Sequence, residues 1–283
     1  MPYKDPIKQK EYHERYRLNN KERRKEQNKK YYEKNEEKMK ESTAKRLETR
    51  KQYAIDSITS GKIIDQYQWD MWCKEIKRCA KNNKKPYSED FTSDIMFEMM
   101  VQGCFYCGDI ATTIDRIDSK LDHAIENCVG CCHGCNMSKG ATDYATFIRK
   151  ACYRVCGEYV DKDTNIWFVH KNKPEMWDYK YNANKQGVSF DLTKEDFDIL
   201  TIDNCKYCKR SPTTWFGVDR VVPSEGYVLG NVVSCCFDCN LDKLEDDVES
   251  MRTRNERIVA RVDAGELIIK ECEKVILRTA NVV

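Results

Sequence analysis

The feature that most constrains this chain is a cysteine pattern that occurs twice. Cys104-Phe-Tyr-Cys107 is followed by Cys132-x-x-Cys135, and Cys205-Lys-Tyr-Cys208 by Cys236-x-x-Cys239. Two thiolates two residues apart in a tight turn can both reach one Zn²⁺ at about 2.3 Å, and a second such turn closes the tetrahedron. In a secreted chain, 16 cysteines would suggest disulfides instead. The opening Met1-Pro2-Tyr3-Lys4-Asp5 lacks the apolar core of a signal peptide, so a reducing compartment and two structural zinc ions are expected.

These pairs belong to a longer internal duplication. Residues 87–92 and 188–193 each lead into an apolar helical stretch and then the first cysteine pair, in register at an offset of 101. Past those pairs the offset becomes 104 and holds. Asp115-Arg116 matches Asp219-Arg220, Asn127 matches Asn231, Asn136 matches Asn240, and Lys139 matches Lys243. A three-residue change in a loop costs little closure entropy. Thr193-Lys-Glu-Asp196 is a capping-box pattern that starts a helix with Phe197 and Leu200 on its buried side. The repeat also chooses between overlapping cysteine pairs. Cys128 and Cys131 form another Cys-x-x-Cys, yet Cys128 matches Val232, whereas Cys132 and Cys135 both match cysteines. Cys131 and Cys235 then read as buried thiols beside the sites, and Cys73, Cys79, Cys152, Cys156 and Cys272 as packing residues.

Charge is spread unevenly. Residues 1–50 hold 17 Lys and Arg against 10 Asp and Glu, a net +7, which leaves −5 on the rest of a chain whose total is +2. Residues 1–60 read as a basic, helical or disordered arm with no sustained apolar stripe. It could be a solvated charged helix, a coiled coil for a protein partner, or a nucleic-acid arm. In the last case Tyr12, Tyr16, Tyr31 and Tyr32 would stack on bases while the cations met phosphates. Residues 61–86 contain an amphipathic helix with Ile63, Ile64, Tyr67, Trp72 and Ile76 toward a core. Residues 144–156 look helical. An aromatic, Lys-rich connector spans 151–187, with Trp167, Phe168, Trp177, Tyr179 and Tyr181 read as packing residues. A helix over 252–283, its pattern starting near 245 and broken near Gly265, ends the chain. No apolar run approaches the ~20 residues a membrane span needs.

The order within each repeat carries a resemblance. Cys-x-x-Cys is followed by Asp-Arg-Ile-Asp (115–118) or Asp-Arg-Val-Val-Pro (219–223), then Asn, then Cys-x-x-Cys-Asn-x-x-Lys. This resembles the HNH endonuclease family in its zinc-stapled form, found among phage, large-virus and mobile-element nucleases. The implied fold is α+β: two tandem ββα-metal modules, over 87–150 and 188–251, joined and flanked by helices. The family would make Asp115, Asn136, Asp219 and Asn240 ligands of a catalytic Mg²⁺ or Mn²⁺. Asn127 and Asn231 would fix the loop between the strands, and Lys139 and Lys243 would lie near a phosphate. Hard oxygen ligands suit Mg²⁺, which polarises the phosphate. Both copies depart from the family at one position, with Arg116 and Arg220 standing where it has its general-base His. Arg cannot accept a proton, though it can hold a phosphate bidentately. His123 and Tyr227, at one repeat position, are candidate replacements or plain loop residues. His133 sits in the zinc turn as a spectator, and His13 and His170 have no motif around them.

The function implied is nucleic-acid binding, DNA above all, through the modules and the arm, with metal-dependent phosphodiester hydrolysis at a divergent site. Two alternatives stand beside it: a zinc-stapled DNA-binding protein that does not cut, and a structural component of a virion or other large assembly. The terminal helices could serve a protein partner or self-association. The expected location is the cytoplasm, nucleus or virion, with no membrane.

Overall fold

In the arm, helix formation is a local affair. Residues 11–50 hold neither Pro nor Gly, and Glu26–Lys30 and Glu36–Lys40 pair one turn apart at 2.9 and 2.6 Å. Glu ahead of Lys at this spacing favours helix. The computed structural model describes residues 6–83, 85–157, 166–244 and 246–268. It divides into a unit of residues Met1–Gln52 and a unit of residues Tyr53–Val283. Helix α1 spans Pro6–Asn19 and α2 spans Lys21–Ser60. Tyr12, Tyr16 and Tyr31 are exposed, and the side chain of Tyr32 lies outside the described part. Helix α2 runs on to Ser60, and in its last turns Ala54, Ser57 and Ile58 are buried in the second unit.

Helix α3 (Gln66–Asn82) is capped by Asp65, whose side chain accepts from Gln68 N. Its buried residues are Trp69 and Cys73, not Ile64 and Tyr67, which are exposed. The expected stripe holds at Ile63, Trp72 and Ile76, which pack against the same core, and is corrected at Ile64 and Tyr67. Trp69 takes the core position because its ring packs edge-on to Phe97 while its Nε1 donates to Ser93 O at 2.9 Å. An indole buries favourably once its single N–H is satisfied. Phe91, Met96, Met100, Ala111, Ile114 and Cys128 complete this core. Cys79 and Cys156 are exposed rather than packed, and Cys272 lies outside the described residues.

Each repeat builds the same sequence of elements. A short helix, α4 (Ser93–Val101) or α8 (Lys194–Ile202), starts on a Thr cap. The second shows the full capping box: Asp196 N donates to Thr193 Oγ1, and Thr193 N to Asp196 Oδ2, both at 3.1 Å. A two-stranded antiparallel hairpin follows. β1 (Thr113–Arg116) pairs with β2 (Cys128–Cys131), setting Asp115 opposite Val129; β3 (Gly217–Arg220) pairs with β4 (Val232–Cys235), setting Asp219 opposite Val233. Then come α5 (His133–Lys139) and α9 (Phe237–Lys243). Within the described residues this is an α+β fold of helices with two small antiparallel sheets.

The duplication runs further than the motifs. Helices α6 (Tyr144–Cys156) and α10 (Val248–Asp263) are capped by Asp143 and Asp247, at the same offset, each accepting from the backbone three residues on. Copy one has Gly108 and Gly140 in the positive-φ region; copy two holds the same turns with Lys209 and Leu244, at φ 62° and 56°. Such a conformation costs a non-glycine residue about 1–3 kcal/mol. Helix α10 stops at Asp263 and Gly265 turns at φ 72°, so the helix expected to run on from 252 is broken there; residues 269–283 lie outside the described residues. Between the repeats, α7 (Met176–Gln186) ends on Gly187.

The two repeats are packed reciprocally. Helices α5 and α9 lie against each other, as do α6 and α10. Ile258 and Val259 of α10 join Phe147, Ile148 and Ala151 of α6 over the cysteines of the first repeat. Tyr153 of α6 packs against those of the second.

Candidate metal centres

The first half of each centre is a tight turn. Gly108 N donates to Cys104 O at 2.9 Å and Cys104 N to Asp109 O at 2.6 Å; Lys209 N to Cys205 O and Cys205 N to Arg210 O, both 2.9 Å, repeat it. The second half is a helix start. Cys132 caps α5, its sulfur accepting from Cys135 N at 3.3 Å. Backbone N–H groups at a helix start favour thiolate.

In each repeat the four sulfurs lie within 4.8 Å of one another: Cys104, Cys107, Cys132 and Cys135, then Cys205, Cys208, Cys236 and Cys239. Cys107 Sγ to Cys132 Sγ is 3.7 Å, and Cys208 Sγ to Cys236 Sγ is 3.8 Å. Four thiolates at about 2.3 Å from one ion stand about 3.8 Å apart, while a disulfide needs about 2.05 Å. The donor set therefore fits a structural zinc ion in each repeat. Hydrogen bonds from the neighbouring thiols hold Cys104 and Cys205 far below the ordinary thiol range. Cys128 is elsewhere, in the core of the first repeat, where burial pushes its thiol up to about 12. Cys131 is a fifth thiol, 3.9 Å from Cys104 Sγ, and burial pushes it up, as it does Cys235 in the second copy.

A zinc ion with four thiolates carries about −2, and cations that the motifs do not contain stand by it. Arg154 Nε donates to Cys239 Sγ at 3.4 Å, and the Arg210 guanidinium lies 3.9 Å over the Trp167 ring while interacting with Cys236 and Cys208. Neither residue belongs to the repeated pattern, so spacing could not single them out.

A second constellation lies between hairpin and helix. Asp115, on β1, is buried; its Oδ2 accepts from Tyr106 Oη at 2.7 Å and stands 3.2 Å from Lys139 Nζ, which is fully buried. Lys139 also donates to Arg116 O at 2.8 Å and Ser119 Oγ at 3.1 Å. The second copy repeats this. Tyr207 Oη donates to Asp219 Oδ2 at 2.5 Å, and Lys243 Nζ is 3.4 Å from the same oxygen and donates to Arg220 O at 3.0 Å. Burial raises both carboxyls, against the pull of the lysine and tyrosine. The motifs do not single out the tyrosines, although each precedes the second cysteine of its pair.

The remaining motif residues organise the loop between the strands. Asn127 accepts from Asp118 N and donates to Asp118 O and Asp122 O; Asn231 does the same with Val222 N, Val222 O and Gly226 O. Arg116 donates to Ser119 O and Leu121 O at 2.8 Å, while Arg220 donates to Glu225 O and Gln186 Oε1 and lies 5.0 Å over the Tyr227 ring. Asn136 donates to Thr113 Oγ1 at 3.0 Å, and Asn240 is exposed. His123 stacks on Tyr87 at 4.2 Å with Nδ1 2.8 Å from Lys85 O. Burial, helped by the charge of Arg116, pushes its pKa down to about 4. His133 is exposed at the start of α5.

Among the described residues, fold and site define an α+β protein with two four-cysteine groups that can each hold a metal ion. Among known proteins it is similar to an uncharacterised protein of Acanthamoeba polyphaga mimivirus, 31% identical over 165 residues that make up 55% of this chain. The chain spans 31% of that viral relative's length. No family model and no solved structure matches it. No described helix is long and apolar enough to cross a membrane.

Proposed function

We propose that this chain is a zinc-stapled nucleic-acid-binding protein of HNH type that holds its substrate without cutting it. What supports the binding reading is the order of parts in both copies: a cysteine turn, a hairpin with its loop fixed by Asn127 or Asn231, a second cysteine pair, and a helix. The basic arm adds charge of the sign that nucleic acid attracts. Such thiolate centres persist where thiols stay reduced, which suits an intracellular or virion protein.

The observation that carries the loss of cutting is the buried trio Tyr106–Asp115–Lys139 and its copy Tyr207–Asp219–Lys243. In the HNH reading these aspartates would hold the catalytic Mg²⁺. Here each already has an ammonium beside it and a hydroxyl on the same oxygen, so the donor set does not fit a divalent cation, which the lysine would repel. The base is missing as well: Arg116 and Arg220 stay protonated and direct their donors to loop carbonyls.

The test is fluorescence anisotropy of labelled DNA with zinc-loaded full chain over a salt series, beside plasmid nicking with Mg²⁺ or Mn²⁺. Binding that weakens with salt, and nicking at background, are expected. Nicking that disappears in Asp115→Ala with Asp219→Ala would restore the nuclease reading. Absence of salt-sensitive binding would favour the scaffold reading.

A further inference from the structure

The connector's aromatics are expected to pack away, and three of them do: Trp167 is buried, Phe168 lies against the Phe237 ring at 4.4 Å, and Tyr179 packs edge-on to Phe197. Trp177 and Tyr181 do the opposite. They are 68% and 56% exposed, and their rings lie stacked, 5.4 Å apart and 15° from parallel. Together with Lys180, Asn184, Val188 and Phe190 they line an open cleft of about 410 Å³. Residues 177, 180, 181 and 184 share one face of α7. That face presents two flat rings, an ammonium and a carboxamide rather than aliphatic side chains.

We propose that this cleft is a base-stacking site for single-stranded nucleic acid. An unpaired base can continue the Trp177–Tyr181 stack, since every base has a π-face. Lys180 is exposed and available to the adjacent phosphate. Asn184 offers both a donor and an acceptor to a base edge. Charge favours a polyanion over an apolar peptide: with Lys173 paired to Asp198 at 2.8 Å, residues 171–187 still carry Lys171, Lys180 and Lys185 against Glu175 and Asp178, on a body that is otherwise net acidic. The cleft also adjoins the loop of the second hairpin, because Phe190 in its lining packs on Tyr227, ring centroids 5.5 Å apart. The inference rests on the nucleic-acid reading above and narrows it to unpaired strands at this face.

The experiment compares wild type, Trp177→Ala, Tyr181→Ala and Trp177→Phe, all at exposed positions, for binding of a fluorescent deoxythymidine oligomer of about 20 nucleotides and of a duplex of equal length. Each Ala variant should lose about tenfold in single-strand affinity, Trp177→Phe should lose less, and duplex affinity should hold. Single-strand addition should quench tryptophan fluorescence in wild type and less so in Trp177→Ala. Full single-strand affinity in both Ala variants overturns the site while leaving nucleic-acid binding intact. A wild type that binds neither strand form overturns the broader reading too. If the Ala variants instead abolish a concentration-dependent self-association seen by light scattering, with nucleic-acid binding unchanged, the face is a protein contact and the inference fails.

Discussion

Lys150 of α6 and Asp238 of α9 form a buried ion pair, Nζ to Oδ1 2.5 Å, that ties the first repeat to the second. The positions that match them in the other copy are Arg254 and Gly134, and there too the helix cation lies against the zinc turn: a Cβ on Gly134 would meet Arg254 Nη1 at 2.6 Å. The repeats thus exchange helices as the halves of a symmetric dimer exchange contacts, within one chain. Asp238 keeps Phe168 N as a donor at 2.8 Å, but that cannot neutralise it. Lys150→Met should therefore cost roughly 3 kcal/mol by stranding a buried carboxylate. Lys150→Met with Asp238→Asn should recover a large part of that loss. Denaturant midpoints check both, and an unchanged midpoint in the single variant would dismiss the pair as a brace.

Purified protein should carry two zinc ions. Chelation should unfold both repeats, because metal binding in stapled modules supplies folding energy of about 10–16 kcal/mol in isolated peptides. Cys132→Ser should lose one ion. Cys128→Ser, in the apolar core, should keep both. Elemental analysis decides, and the reverse outcome would transfer the ligand role to Cys128.

His123 gives stability a pH dependence of known sign. Its folded pKa of about 4 lies below the ordinary value of 6.5, so the unfolded chain binds the proton more readily. Keeping the ring neutral costs nothing above pH 6.5, and stability is lost as pH falls from there toward about 4. The total is roughly 2 kcal/mol once solvent screening is allowed for. His123→Tyr, which installs the residue of the second copy, should flatten that part of the curve. Because low pH also protonates zinc thiolates, the difference between variant and wild type is the quantity to read. Equal slopes would mean the ring is not held neutral.

Deleting residues 1–50 should lower the salt slope of duplex binding by about 3, if about half of the arm's net charge meets phosphates. A slope that does not change would assign the arm to a protein partner.

The duplication, the two cysteine quartets and the choice of Cys132 over Cys128 are legible in the residue order, as is the helix at 144–156. Each is a local or periodic property: metal ligands need fixed spacing in a turn, and a cap or an amphipathic period is written within a few residues. The stripe of α3 is legible only in part: Ile63, Trp72 and Ile76 pack against the core as expected, but Ile64 and Tyr67 do not. Tyr67 and Trp69 are both bulky rings near its start, and the arrival of Ser93 and Phe97 settles which of them is buried with its N–H satisfied. The connector raises the same problem in reverse. Trp167 is covered by the Arg210 guanidinium, whereas Trp177 stacks on Tyr181 and stays in solvent.

Two four-cysteine groups follow from residue order alone, because thiols at those spacings can meet as the ligands of one metal ion. What lies between hairpin and helix was left to packing in three dimensions. Asp115 and Lys139 are 24 residues apart, and Tyr106 stands 9 residues before the aspartate. No periodicity reports that the three meet in one buried site. Packing also settled how the repeats join, since the Lys150–Asp238 pair spans 88 residues. A buried charge must find its partner wherever folding brings one, and that partner can stand at any distance along the chain.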